Sequence, residues 1–356
     1  MPVATSIVTD IKARPEVAAK AVRRALRKIG NAPATSVFLF LTTEFARDPQ
    51  SAIRAAAKVA NCTQVIGCSA TGIFTEDDWV LDAPAAAAMV FSGNINLHVA
   101  RKKTNFPLLT IAAPNAINTT WLQRLGPSFG AVSGDATGQG PFSVWENGKG
   151  VVQGRCQIDM HGVKAAMAAT HGLKLLNSPI PINAVNAYDV LVCGEMVAEV
   201  LLRQVYGAED SETLPYHQLM AVYASSPELI HHEQYEQATI ICSNEDGSIT
   251  LSKALDKGMW LSWAVREQNT AMKQLTQVAN QLDHQLDNAP DFGLFFSCMG
   301  RGPYFYNGVD KDLKILKKRF PQMPLIGFYG NGEFAPMNGK NVLLEYSAVL
   351  ALFKEK

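Results

Sequence analysis

The sequence predicts an α/β fold built from two intimately packed modules, each with mixed β-sheets and flanking helices. Three observations carry this prediction. Runs such as VFLFLTT (37–43) and DFGLFFSC (291–298) are continuously apolar and β-rich, as strands are when both faces are covered. Amphipathic helical patterns lie between such runs. Two segments also share one spacing: VIGCSATGIF (65–74) and LIGFYGNGEF (325–334) each read Ile-Gly, four residues, Gly, one residue, Phe. Each follows a strand and a helix and precedes another strand, so the spacing implies an internal duplication. A layered α-β-β-α sandwich is one arrangement that would satisfy it.

The first helix is ARPEVAAKAVRRALRKIG, with Pro15 near its start and Gly30 beyond its end. Ala18, Val22, Ala25, Leu26 and Ile29 share a face, and Arg23, Arg24, Arg27 and Lys28 read as a solvated face suited to the helix C-terminus. VFLFLTT is a strand. DPQSAIRAAAKVA is a helix opened by Asp48 and Pro49. TQVIGCSATGIF is a strand running into a glycine turn. AAAAMVFSG and INLHVARKK predict a hairpin turning at Gly93 and Asn94. A helical patch follows at 118–125, then short strands and glycine turns with a tight hairpin at Asn147-Gly148. VKAAMAA reads as a short helix between His161 and His171. AYDVLVCGEMVAEVLLRQVYG is a strand and then a helix from about Met196.

The acidic AEDSET and Pro215 place the boundary near residue 210, giving modules 1–210 and 211–356. In the second module ATIICS and GMWLSWAV are strands. Residues 269–288 form a helix whose buried stripe is Met272, Leu275, Val278, Leu282 and Leu286. DFGLFFSC is a strand, GVDKDLKILKKRF a helix, and PLIGFYGNGEF and NVLLEYSAVLALF are strands. GAVSGDATG (130–138) is a weaker third echo of the shared spacing. Packing of two halves about a pseudo-twofold axis would bring the glycine turns to one cavity.

Composition narrows the function. With 47% apolar and only 18% charged residues, the 356-residue chain has ample core and no sign of disorder. Lys+Arg and Asp+Glu both number 32, which argues against a nucleic-acid footprint and against a polybasic membrane anchor. No run approaches the roughly 18 apolar residues of a membrane span, and the first residues lack a signal-peptide pattern. The six cysteines form no CxxC pair and read as buried, reduced thiols, hence a cytoplasmic protein.

Familiar catalytic motifs are missing. The chain has no G-x-x-x-x-G-K-[ST] and no G-x-S-x-G. GNGEFA (330–335) matches a dinucleotide fingerprint only nominally, because Pro336 and an Asn-Gly turn follow where a helix is required. GRGPYF (300–305) precedes a helix, but too distantly. Adjacent His231, His232 and Glu233 point different ways on a regular element and make a poor metal site. Cys298 ends a strand beside Arg301, which reads either as a buried thiol or as an activated nucleophile.

FSCMGRG followed by PLIGFYGNGEFAP resembles the C-terminal part of the FIST sensory-domain family, through Cys298, Arg301, Gly327, Phe328, Tyr329, Gly332, Glu333 and Pro336. VIGCSATGIF, the glycine-rich stretch 130–156 and the run containing Gly194, Ala198 and Leu201 are similar to that family's N-terminal module. The resemblance implies a small-ligand sensor rather than an enzyme, with amino acids among the suggested ligands. It implies partners such as a histidine kinase, a diguanylate cyclase or a chemotaxis-type receptor, reached here in trans because no output module is evident. It also raises haem and nitric oxide, for which His171 is the first candidate axial ligand and His161 the second.

The expected ligand site gathers both ends of the shared spacing. Gly300, Gly302 and Gly332 let backbone approach a ligand closely. Arg301 offers a forked cation to a carboxylate, Glu333 an acceptor to an amine, and Tyr304, Tyr306 and Tyr329 flat walls. Cys298 and Asn331 stand beside them, and Ser69, Thr71 and Asp135 come from the other glycine turns. The alternative is that Arg301 and Glu333 pair only with each other.

Overall fold

The computed structural model describes residues 2–135, 138–148, 150–151, 154–209 and 211–356. They form two compact units, Met1–His171 with Met272–Lys356, and Gly172–Ala271. The boundary expected near residue 210 falls inside the second unit.

The first unit repeats one plan three times. The first repeat runs β1 (Val3–Thr9), α1 (Pro15–Lys28), β2 (Ala34–Thr42), α2 (Gln50–Ala60) and β3 (Val65–Ala70), then a hairpin of β4 (Gly72–Thr75) and β5 (Trp79–Leu81), then β6 (Ala85–Ser92). The second runs β7 (Asn96–Val99), β8 (Leu108–Ala112), α3 (Thr119–Leu122) and β9 (Ser128–Val132), then a hairpin of β10 (Val144–Asn147) and β11 (Gly150–Val151), then β12 (Arg155–His161). The third opens with β13 (Val163–Thr170).

The second unit follows: β14 (Leu173–Leu175), β15 (Ile180–Asn186), β16 (Asp189–Cys193), β17 (Met196–Val197), α4 (Ala198–Tyr206), β18 (Leu219–Ala224), α5 (Pro227–His231), β19 (Glu236–Ser243), β20 (Ile249–Leu251) and β21 (Trp260–Arg266). Its strands are antiparallel neighbours in the order β14-β21-β15-β16-β20-β19-β18. Pairing of β18 with β21 closes this sheet on itself around Trp263, Leu219 and Leu202, which removes exposed edges. The third repeat then resumes with α6 (Gln268–Gln285), β22 (Phe292–Cys298), α7 (Lys311–Arg319), β23 (Leu325–Gly330), a hairpin of β24 (Glu333–Met337) and β25 (Lys340–Leu344), and β26 (Ala348–Glu355).

In each repeat the first strand lies antiparallel to the last, the last antiparallel to the second, and the second parallel to the third. The hairpin leaves its own sheet and lines the third strand of another repeat: β4 pairs β23, β10 pairs β3, and β24 pairs β9. The parallel pairs share a register, with Leu39 opposite Gly67, Thr110 opposite Gly130 and Phe295 opposite Gly327. A Cβ on Gly67, Gly130 or Gly327 would lie 1.7, 2.1 or 1.6 Å from the carbonyl oxygen of that partner, so only glycine fits. The duplication read from the sequence is therefore a triplication, and the faint echo that begins at Gly130 belongs to the second of its repeats.

Alternation along the strands divides the core. Phe38 and Phe40 of β2, Leu109 and Ile111 of β8, and Phe292, Leu294 and Phe296 of β22 share one apolar cluster. Val37, Leu39 and Leu41 face the other way, onto α1 and α2. Phe295 and Leu325 face Leu275 of α6 and Leu313 of α7. Three sheets around one core thus take the place of the α-β-β-α sandwich. Each fully buried Phe or Leu contributes roughly 1.5–3 kcal/mol before entropy is counted.

Two local expectations fail. Gly93-Asn94 turns no hairpin, because β6 pairs β1 and β2 while β7 pairs β12 in a different sheet. VKAAMAA is strand β13, in register with β26 from Val163↔Glu355 to Thr170↔Ala348. Alanine favours a helix locally, but eight pairings override that preference. Among the described residues no helix is long and apolar enough to cross a membrane, and no group of three or more metal-type side chains converges.

A fragment of residues 1–210 lacks β23, the partner of β4, and β26, the partner of β13. Its expected behaviour is a broad, non-cooperative thermal transition; a sharp one would contradict the triplicated plan. Gly327→Ala is expected to lower stability by about 2–3 kcal/mol in urea unfolding, since the added methyl meets backbone rather than a movable side chain.

Candidate functional site

Arg301 follows the end of β22, where its own N–H and that of Gly302 both donate to the Cys298 carbonyl. The side chain is buried, at 1% exposure. Its Nε donates to Asp312 Oδ2 at 2.8 Å, and Nη1 donates to the Thr170 carbonyl and to Thr170 Oγ1, both at 2.7 Å. Burial works against its charge, but Asp312 and Tyr306 outweigh burial and raise its pKa, so the guanidinium stays charged. The carboxylate paired with Arg301 is Asp312, not Glu333.

Asp312 sits in the first turn of α7, where the helix N-terminus favours negative charge. Tyr306 donates to its second oxygen at 2.7 Å. Asp310 caps the same helix, accepting from Leu313 N at 2.8 Å, and its other oxygen accepts from the Tyr329 hydroxyl. Burial first, then the Asp312 charge, push the Asp310 pKa up from 3.8 to about 6, against the pull of Tyr329 and the Leu313 N–H. Burial and Asp310 raise the Tyr329 hydroxyl well above its ordinary value.

Glu333 begins β24, opposite Ala131 and Leu344. It has no exposed surface, and among the described residues neither carboxylate oxygen has a partner at full hydrogen-bond geometry. Burial pushes its pKa well above the usual carboxylate range, although the Arg301 charge and the Ser347 backbone N–H act in the opposite direction. An uncompensated buried carboxylate is costly, so burial favours the protonated form of this group.

The remaining expected residues divide into two groups. Cys298 is buried at the end of β22 and its N–H donates to Ser347. Gly302 lies against the Tyr329 ring, at 2.9 Å from where a Cβ would stand. Gly300 lies in the same turn. Tyr306 and Tyr329 are buried, but Tyr304 is 63% exposed and bonds Asp82, so it is no wall of this cluster.

The glycine turns meet elsewhere in the first unit. Thr71 donates to the Gly134 carbonyl at 3.4 Å, and Asn331 Nδ2 lies 2.2 Å from where a Gly134 Cβ would be. Thr71, Gly134 and Asn331 are each the fourth residue after Gly67, Gly130 and Gly327, so equivalent positions of the three repeats touch. Gly332 adopts φ +133°, which a side chain would disfavour. Ser69 bonds Ser143, and Asp135 accepts from Gly140 N.

The histidines differ. His171 is buried, with Nδ1 3.2 Å from Ser347 Oγ. His161 is exposed and contacts Asp159 at 3.1 Å. Each thus has a polar side chain within hydrogen-bond distance of a ring nitrogen.

Asp310, Asp312, Thr170 and Ser347 were not foreseen. The signal for the first two was the D-x-D at the start of a predicted helix; nothing in the sequence near residue 170 or 347 pointed to Arg301. The repeat itself marks Arg301 and Glu333 as special. The positions equivalent to Arg301 are Phe45 and Ala116, and the position equivalent to Glu333 in the first repeat is Ile73.

Comparison with known proteins finds one family match in this chain. Residues 195–336 carry a FIST C domain. The FIST domain is a sensory domain, and the match takes in Cys298, Arg301, Tyr329 and Glu333. The chain is also 31% identical over 107 residues to an uncharacterized protein of Mycobacterium tuberculosis, and 30% identical over 107 residues to one of Mycobacterium bovis. Each alignment covers 30% of this chain and 28% of the relative, so the chain matches little more than a quarter of either relative's length.

The raised Asp310 value predicts a pH effect. The folded protein holds this proton more tightly than the unfolded chain, so the contribution is complete below about pH 4 and lost as pH rises through about 6. It is on the order of 2–3 kcal/mol. Asp310→Asn keeps cap and shape, and should flatten urea-measured stability between pH 4 and 6; a variant that tracks the parent across that window would clear Asp310 of the role.

Proposed function

We propose that this chain senses a small ligand bearing an ammonium or similar N–H group, such as an amino acid, and that Glu333 accepts that group. The supporting observation is the fully buried Glu333 carboxyl, neither of whose oxygens has a partner at full hydrogen-bond geometry among the described residues. Removing one partner from a buried charge-assisted bond costs several kcal/mol, so a ligand that supplies the missing donor gains strongly from this position. Arg301, committed to Asp312 and Thr170, is a positioning charge here and not a fork for the ligand's carboxylate. Its field favours the ionised form of Glu333 once the ligand's cation arrives. Occupancy would be passed to a histidine kinase, diguanylate cyclase or chemotaxis-type receptor.

Because burial favours the protonated form of Glu333, a cationic ligand that ionises it displaces a proton. Amino acids, dipeptides and small amines are screened first by thermal shift. At 100-fold above its dissociation constant a true ligand stabilises the protein by about 2.7 kcal/mol. Calorimetry of the hit in buffers of different ionisation enthalpy should then show proton release, and Glu333→Gln should abolish both release and shift. A screen without hits, or a Glu333→Gln protein that responds like the parent, defeats the reading. So does a Soret band in the purified protein that disappears in His171→Ala, which would favour a haem-based gas sensor.

A further inference from the structure

β7 is the edge strand of its sheet, and the chain leaves it into a loop, 100–107, that is pinned at both ends. Ala100 N donates to Gln157 O at 2.8 Å, Thr104 N to Leu125 O at 2.7 Å, and Phe106 N to Thr104 Oγ1 at 3.0 Å. Beside the loop lies an open groove of about 540 Å³. Arg101, Lys102, Lys103 and Lys356 line it, with His98 and His161. Asp159 is its one carboxylate side chain among the described residues, and it is engaged by His161. Arg101, Lys102 and Lys103 have no ion-pair partner among the described residues. Arg101 also lines a neighbouring cavity of about 370 Å³ that contains Arg124 and Arg155.

One aromatic completes the groove. Phe106 is 66% exposed, with Lys356 Nζ 5.3 Å from its ring centroid. An exposed ring beside unpaired cations is costly to keep for packing alone, and it matches a ligand that combines a flat face with negative charge. The zero net charge of the chain hides this local excess, which concentrates anions by its field. The volume suits one small molecule.

We propose that this groove binds a nucleoside phosphate, with the base stacked on Phe106 and the phosphates held by Arg101, Lys102 and Lys103. The proposal is independent of the buried Glu333 site.

The test titrates the full chain with ADP, adenosine and inorganic pyrophosphate by calorimetry, at low and high salt. ADP should saturate, should weaken as salt screens the cations, and should bind roughly tenfold tighter than either half alone. Phe106→Ala should weaken ADP about tenfold and leave pyrophosphate unchanged. Lys102→Glu with Lys103→Glu, both on the exposed loop, should weaken ADP and pyrophosphate alike while the melting temperature holds. No saturation by ADP overturns the proposal. Equal affinity for ADP and pyrophosphate, or indifference to Phe106→Ala, reduces the groove to a general anion site and overturns the nucleotide assignment. Insensitivity to the double charge reversal places binding elsewhere. Displacement of ADP by a single-stranded oligonucleotide at far lower phosphate concentration would assign the surface to nucleic acid instead.

Discussion

A carbonyl oxygen pressed against a glycine governs the larger unit of this protein. At Gly67, Gly130 and Gly327 the third strand of each repeat lies so close to the second that a methyl group would overlap the opposing backbone. That approach sets the path of the strand over its last residues. It delivers Thr71, Gly134 and Asn331 to one meeting point. From there each hairpin is thrown across to another repeat's sheet, so that no repeat completes its own sheet. The shared aromatic and aliphatic core, with Phe40, Phe296 and Phe328 in edge contact, depends on that exchange.

A near-symmetric scaffold makes its exceptions informative. Phe45 and Ile73 are ordinary packing residues in the first repeat; their counterparts in the third are Arg301 and Glu333. Burying an arginine and two aspartates behind β22 and β23 is expensive, and the arrangement survives because nearly every polar atom is answered. Arg301 is answered by Asp312 and Thr170, Asp312 also by Tyr306, and Asp310 by Tyr329 and the start of α7. Such networks rigidify what they hold. Glu333 is the acid that this network leaves without a well-formed hydrogen bond among the described residues.

Charge works differently in two regions of the first unit. Near Arg301 the dielectric is low, charges are few and paired, and proton positions shift far from their usual ranges. Along the loop after β7 the cations are exposed and unpaired, and salt governs their reach. The overall balance of 32 against 32 describes neither region.

Elements with strong periodicity were legible in the sequence alone. The apolar runs at β2 and β22, the capped helices α1 and α7, and the spacing shared by 65–74 and 325–334 depend on local chemistry: alternation, helix ends and the steric freedom of glycine. Arg301 and Glu333 stood out for the same reason, as polar residues beside glycines at the ends of apolar strands. Tertiary structure decided the rest. VKAAMAA is a strand because β26, nearly two hundred residues away, offers it a full ladder. The second repeat was almost invisible because only Gly130 and its turn are held in common, and that glycine matters only once Thr110 lies opposite. Arg301's partner is Asp312 rather than Glu333 because pairing is a matter of distance in space, and the turn of chain between β22 and α7 sets that distance.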